Sequence, residues 1–192
     1  MTSFKGQFLV AMPEMMDERF REAVIYIVGH GEDGAMGLVV NHRLDDMKFS
    51  DILEELNLGD HDEIIRLPGD VRDRQVLRGG PVQKSRGFVL HSPDYFRDDN
   101  SYSVDDEVCL TATLDILRAM AFRRAPADAL FALGYCGWSP GQLEGEIGHN
   151  GWLTVPYSRE LLFGLPLEER YDAALASLGI TRASLSGTAG RA

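Results

Sequence analysis

Residues 134–156, GYCGWSPGQLEGEIGHNGWLTVP, constrain the chain more than any other stretch. They hold both tryptophans, one of the two cysteines and enough glycine and proline to cut the segment into short elements. Residues 131–136 form a brief apolar run closed by Gly137, the pattern of a buried strand. Ser139 before Pro140, with Gln142 three residues after the serine, predicts a helix start. In that reading the serine is the N-cap and the glutamine is its reciprocal partner. Leu143 and Ile147 fall one turn apart on a single face, residues 148–151 break the helix, and residues 152–155 resume an extended pattern. A strand–turn–helix–strand unit follows.

The remaining pattern is mixed. Residues 4–11, 23–28, 35–40, 86–91 and 108–110 read as strands, the second and third joined as a hairpin across 30–34. Helical spacing appears over 49–58, 113–123 and 166–178, with Gly59 and Gly179 as stops. Residues 44–73 carry ten acidic side chains against Lys48, Arg66 and Arg72, and are expected to form a solvated helix face and a mobile loop around Pro68-Gly69. Residues 92–101 read as a polar loop, and residues 184–192 as a fraying end. No repeat or linker divides the 192 residues, so one α+β domain over 1–192 is expected.

Charge narrows the class of partner. A net charge of −11 opposes phosphate backbones and anionic bilayers, so direct nucleic-acid binding is disfavoured. No apolar run approaches the ~20 residues that span a bilayer. Pro13, Glu14 and Asp17 interrupt any signal-peptide pattern, and a cytoplasmic location is expected. Cys109 and Cys136 both sit in apolar runs and read as reduced, packed thiols.

Several motifs match in letters and fail in chemistry. Gly29-His-Gly31-Glu-Asp-Gly34 follows a strand but precedes another strand, and its acidic residues would face a pyrophosphate. Gly137-Trp-Ser139-Pro-Gly141 has the strand-to-helix context of a nucleophile elbow. The residue after its serine is Pro140, which has no N–H to offer an oxyanion, and no Asp lies between Ser139 and His149. Cys136 precedes a helix N-terminus, a setting that can activate a thiol, with His149 or His91 as candidate bases; a packed thiol is the plainer reading. Glu146 and His149 share a helical i, i+3 spacing with Glu144 nearby, yet no metal-binding signature accompanies them. Neither a metal nor a cofactor is expected.

The central stretch, GYCGWSPGQLEGEI with a following N-x-W-L, resembles the bacterial YqgE/AlgH family. Gly6-Gln-Phe-Leu-Val-Ala-Met-Pro13, Gly34-Ala-Met-Gly-Leu-Val-Val-Asn41, Gly79-Gly-Pro-Val82, Arg86-Gly-Phe-Val-Leu-His-Ser92 and Leu110-Thr111 with Asp115 support the resemblance, in the family's order and over nearly the whole chain. The end departs: members often finish in Gly-His-Ala where this chain has Gly190-Arg191-Ala192. The resemblance implies one α+β domain whose bifurcated sheet folds toward a pseudo-barrel with flanking helices. It brings no established catalytic residues, and one branch bears the name of a transcriptional regulator of alginate production.

Two functions stay open at this point. One is a non-enzymatic regulator, acting indirectly on transcription, or a binder of a small molecule or protein. Its pocket would be drawn from Gly79, Gly80, Pro81, Cys136, Trp138, Glu144, Glu146, His149 and Trp152. The other is an enzyme, a hydrolase or a nucleic-acid-processing protein, centred on Cys136, Glu144, Glu146 and His149. A thiol within hydrogen-bond reach of a histidine favours the enzyme, and a packed thiol beside an open groove favours binding. Oligomeric state is not specified by the residues.

Overall fold

The computed structural model of the chain describes residues 3–122 and 124–186. Its ten strands are β1 (Phe8–Ala11), β2 (Val24–Gly31), β3 (Gly34–Val39), β4 (Arg43–Lys48), β5 (Gln75–Arg78), β6 (Val82–His91), β7 (Ser101–Ser103), β8 (Cys109–Thr111), β9 (Ala129–Trp138) and β10 (Trp152–Val155). Its α-helices are α1 (Phe49–Glu55), α2 (His61–Ile65), α3 (Gly69–Arg72), α4 (Leu114–Phe122), α5 (Gln142–Gly148), α6 (Arg170–Ser177) and α7 (Arg182–Ser186). Short 3-10 turns lie at Glu18–Phe20 and Leu167–Glu169, and a wider π turn at Glu160–Gly164. The domain is α+β, a single curled sheet with flanking helices.

The main sheet path runs β10-β1-β2-β3-β9-β6-β8-β7. β1 and β2 are apolar on both faces because both faces are covered. Phe8, Val10, Val24 and Tyr26 point into one core with Tyr171, Ala174 and Leu175 of α6, while Leu9, Ala11, Ile25 and Ile27 point into a second with Leu143 of α5. Successive strand residues face opposite sides, so an unbroken apolar run is what such a strand requires. α6 is clamped by polar contacts as well: Tyr171 Oη donates to the Ala11 carbonyl at 2.8 Å, and Arg170 Nη1 to Val40 at 2.7 Å. Burial pushes the Arg170 guanidinium down to about 10.

β9 is where the sheet divides. β6 lines one edge from Ala129 to Tyr135, but the other edge is shared: β5 pairs in parallel with residues 131–133, and β3 pairs antiparallel with residues 136–138. Phe131 faces the α1/α4 core, and Cys136 and Trp138 face the α5 core. Odd-numbered positions become even-numbered ones on the same side, so the alternation slips by one residue. The slip falls at Gly134, whose φ of 76° is left-handed. Directly across it runs Gly79-Gly80-Pro81, and a Cβ on Gly80 would overlap the Tyr135 carbonyl group. Two chain segments cross here in backbone contact, which side chains at Gly80 and Gly134 would prevent.

The expected hairpin forms with a tight turn at Glu32-Asp33, Gly31 paired with Gly34. No helix follows Gly34, so the glycine pattern at 29–34 shapes a turn. The acidic stretch differs from expectation. Residues 43–48 form β4, paired with β5, and residues 61–65 and 69–72 form α2 and α3 where a mobile loop was expected. Glu63 reaches back to the Asp60 amide at 3.1 Å and Pro68 precedes α3, so short local caps build helices that periodicity is too brief to reveal. The polar loop after His91 ends in β7, and α7 occupies part of the end expected to fray. Arg123, the expected end of α4, and the departure at Gly190-Arg191-Ala192 lie outside the described residues.

Candidate functional site

α5 packs beside β10 and below the segment that follows β1, leaving a recess of about 500 Å³. Met15, Asp17, Arg19 and Phe20 form one wall, and Pro81 and Val82 another. Cys136, Trp138, Glu146, His149 and Trp152 complete it. The folding unit read from residues 134–156 therefore supplies the floor.

Glu146 organises that floor. Its Oε2 accepts from Trp138 Nε1 at 2.9 Å and from Trp152 Nε1 at 2.8 Å, and its Oε1 accepts from Gln142 Nε2 at 2.9 Å. The i, i+4 spacing of Gln142 and Glu146 places both on one face of α5, and the strands on either side deliver one indole each. The indoles meet edge to face at 6.3 Å, and Phe20 meets Trp152 in the same way at 5.6 Å. Two indoles are thus fixed by a carboxylate whose acceptor capacity is largely used, and Phe20 packs on one of them.

The thiol is occupied too. Cys136 is buried, its Sγ donates to the Gly79 carbonyl at 3.5 Å, and burial pushes it up to about 12. It is a neutral thiol near pH 7. His149 is exposed at the end of α5, with Nδ1 donating to the Gly145 carbonyl at 2.6 Å. His91 lies elsewhere, between β6 and β8. Its Nδ1 donates to the Ser92 carbonyl at 2.8 Å and its Nε2 accepts from Thr111 Oγ1 at 2.8 Å, with burial holding its pKa below the ordinary imidazole range. Neither histidine is hydrogen-bonded to Cys136, so the nucleophile–base geometry is missing.

Glu144 points away from the recess and meets the buried His30, Nε2 to Oε1 at 3.1 Å. His30 Nδ1 accepts from the Phe4 amide at 3.1 Å, which puts the imidazole proton on Nε2. Glu144 thereby ties α5 to β2. Gly79 and Gly80 sit behind the recess in the backbone crossing, and Pro81 stands at its edge. Met15, Asp17, Arg19 and Phe20 are lining residues that no sequence motif marks. Among the described residues no group of three or more His, Cys, Asp or Glu is placed to hold a metal ion, and no helix is long and apolar enough to cross a membrane.

Ser139 does not cap α5 as expected. Pro140 and Gly141 form a turn closed by the Gln142 amide on the Ser139 carbonyl at 3.0 Å, and Gly141, at φ 75°, is the residue before the helix. The helix starts late, leaving the serine hydroxyl out of range. Half of the expected pair survives: the Ser139 amide donates to Gln142 Oε1 at 3.0 Å. The serine is exposed and has none of the partners of a nucleophile.

Comparison with known proteins agrees with the fold. Residues 8–183 match the AlgH-like family. A UPF0301 protein of Mesorhizobium japonicum is 55% identical over 186 residues, covering 97% of this chain and 91% of that protein. A UPF0301 protein of Rhizobium meliloti is 52% identical over 187 residues, covering 97% and 92%. The solution structure of AlgH from Pseudomonas aeruginosa superposes with a TM-score of 0.78 at 39% identity, covering 100% of this chain and 97% of that one. The crystal structure of protein DIP2367 from Corynebacterium diphtheriae shares the fold, with a TM-score of 0.68 at 20% identity over 88% and 84% of the two chains. With the β9 branch and the GYCGW–GQLE unit in place, the chain belongs to the AlgH-like family.

Proposed function

We propose that this chain is a non-enzymatic binding protein whose aromatic recess takes a small planar molecule, and that any influence on transcription is indirect. The observation that carries this reading is the state of the polar groups in the recess. Glu146 is spent on two indoles and Gln142, and the Cys136 thiol is neutral and donates to a carbonyl. The open volume is bordered by Phe20 and by the largely buried Trp138 and Trp152 indoles, with Asp17, Arg19, Gln142 and His149 at hand for orientation. A preformed, mostly apolar cavity with a few fixed polar groups is the ordinary form of a small-molecule site.

Both tryptophans of the chain lie in this recess, so intrinsic fluorescence reports occupancy without a label. A library of planar heterocycles and aromatic carboxylates should contain compounds that change the emission saturably, with the change weakened about tenfold by Phe20→Ala. A library without any saturable change, or binding that is indifferent to Phe20, contradicts the reading. So does any turnover of a bound compound that is lost on replacing Cys136.

A further inference from the structure

Beside the aromatic recess lies a second groove of about 300 Å³, joined to it at Arg19 and Pro81. Its lining is Arg19, Val39, His42, Leu44, Arg78, Gly80, Pro81, Lys84 and Leu133. Three residues are cationic, a fourth is imidazole, and none is acidic. The chain as a whole has 30 acidic against 19 basic residues, so a groove of this composition is a marked local reversal of sign.

The sheet branch makes the groove. Arg78 ends β5, where its amide bonds the His42 carbonyl at 2.8 Å, and the Gly79-Gly80-Pro81 crossing then turns the chain into β6. β6 bulges at once: it takes five steps from Val82 to Gly87 while β9 takes two from Tyr135 to Leu133. The bulge throws Lys84 out of the ladder onto the same groove as Arg78. Arg19 arrives from the far wall already paired with Asp17 at 2.6 Å. Arg78 and Lys84 are exposed, and among the described residues neither has a carboxylate partner. His42 Nε2 donates to the Arg21 carbonyl at 3.0 Å, which orients the ring. The carboxylate whose charge acts on His42 is Glu22, itself ion-paired with Arg182.

We infer that this groove binds the phosphate group of a small soluble phosphomonoester. Two unneutralised cations match a dianion, a guanidinium offers a bidentate fork to phosphate, and a lysine adds a point charge. The volume exceeds one phosphate, and Val39, Leu44 and Leu133 give apolar walls to the esterified group. A free small molecule fits better than a nucleic acid or a bilayer, because the net charge of −11 repels an extended polyanion while a recessed groove admits a small one. The inference does not depend on the aromatic recess being a binding site.

Titrating isotopically labelled protein with inorganic phosphate and with phenyl phosphate, at ionic strength held constant with chloride, tests it by amide chemical shifts. Saturable shifts centred on Arg78, Gly80 and Lys84 are expected for both probes, tighter for phenyl phosphate. Arg78→Gln and Lys84→Gln should each weaken binding about tenfold, the loss of one charge-assisted hydrogen bond. Lys5→Gln, where Lys5 lies over the Tyr102 ring, should leave binding unchanged. Both groove residues are exposed, and matching thermal melts of the variants establish that the fold persists. Shifts no larger than those in chloride, saturation that survives the double variant, or tighter binding of a short DNA duplex than of phenyl phosphate would overturn the inference.

Discussion

Glu146 is the side chain on which the recess depends most. Replacing it with alanine leaves two indole N–H donors without their acceptor, at a cost of about 3 kcal/mol. Glu146→Gln keeps one acceptor oxygen and should cost about 1 kcal/mol, so denaturant melts of the pair separate anchoring from charge. Ser139→Ala should stay within about 0.5 kcal/mol of the parent, because its hydroxyl caps nothing; a loss near 1 kcal/mol would restore the serine cap that the sequence suggested. His91 and His42 give the stability a pH dependence of fixed sign. Burial lowers both imidazoles in the folded chain, so the unfolded chain takes up protons first, near pH 6.5. Stability should be full well above pH 6.5 and fall as the pH drops below it. The lowered carboxyls of Asp17, Asp73 and Asp94 act only further down, below their unfolded value of 3.8. His91→Gln should flatten part of the slope; a parent melt that does not move between pH 7.5 and 5 contradicts the assignment.

Among the elements, what was legible followed burial. β10 was read to the residue, and β2, β3 and α4 nearly so, because an apolar run or a helical repeat marks each one. β4 was not legible: Arg43-Leu-Asp-Asp-Met-Lys48 has only Leu44 and Met47 to bury, and its charge pattern looks like a solvated helix. Its strand form comes from β5, which supplies a partner some thirty residues away. α2 and α3 were too short to show a period. The recess was half legible, since residues 134–156 carry its floor, whereas Asp17, Arg19 and Phe20 are brought to it by the turn after β1. The resemblance implied a bifurcated sheet, but the place of the branch at Gly134 was invisible, for a glycine in an apolar run does not announce a left-handed bulge. Gly134→Ala should therefore be severe, about 3 kcal/mol or more, since it strains φ and drives a Cβ against the Gly80 carbonyl. Gly145→Ala, with open space around its Cβ, is the control and should be neutral or mildly stabilising.

For the whole molecule, charge and shape point the same way. A chain of net charge −11 carries a groove lined by Arg19, Arg78 and Lys84, next to an aromatic recess built from a carboxylate-pinned pair of tryptophans. The proposed role as a receptor for small molecules rests on this arrangement, with its polar groups committed to holding shape. The measurement that bears most directly on that claim is timed thiol labelling of the native protein, with mass-spectrometric assignment of each site. Cys136 and Cys109 are both buried and both pushed up by burial, so each should stay unmodified while the chain is folded and react promptly once denaturant is added. Rapid native modification of Cys136, with Cys109 still protected, would mean an accessible, activated thiol in the recess and would contradict a purely binding role.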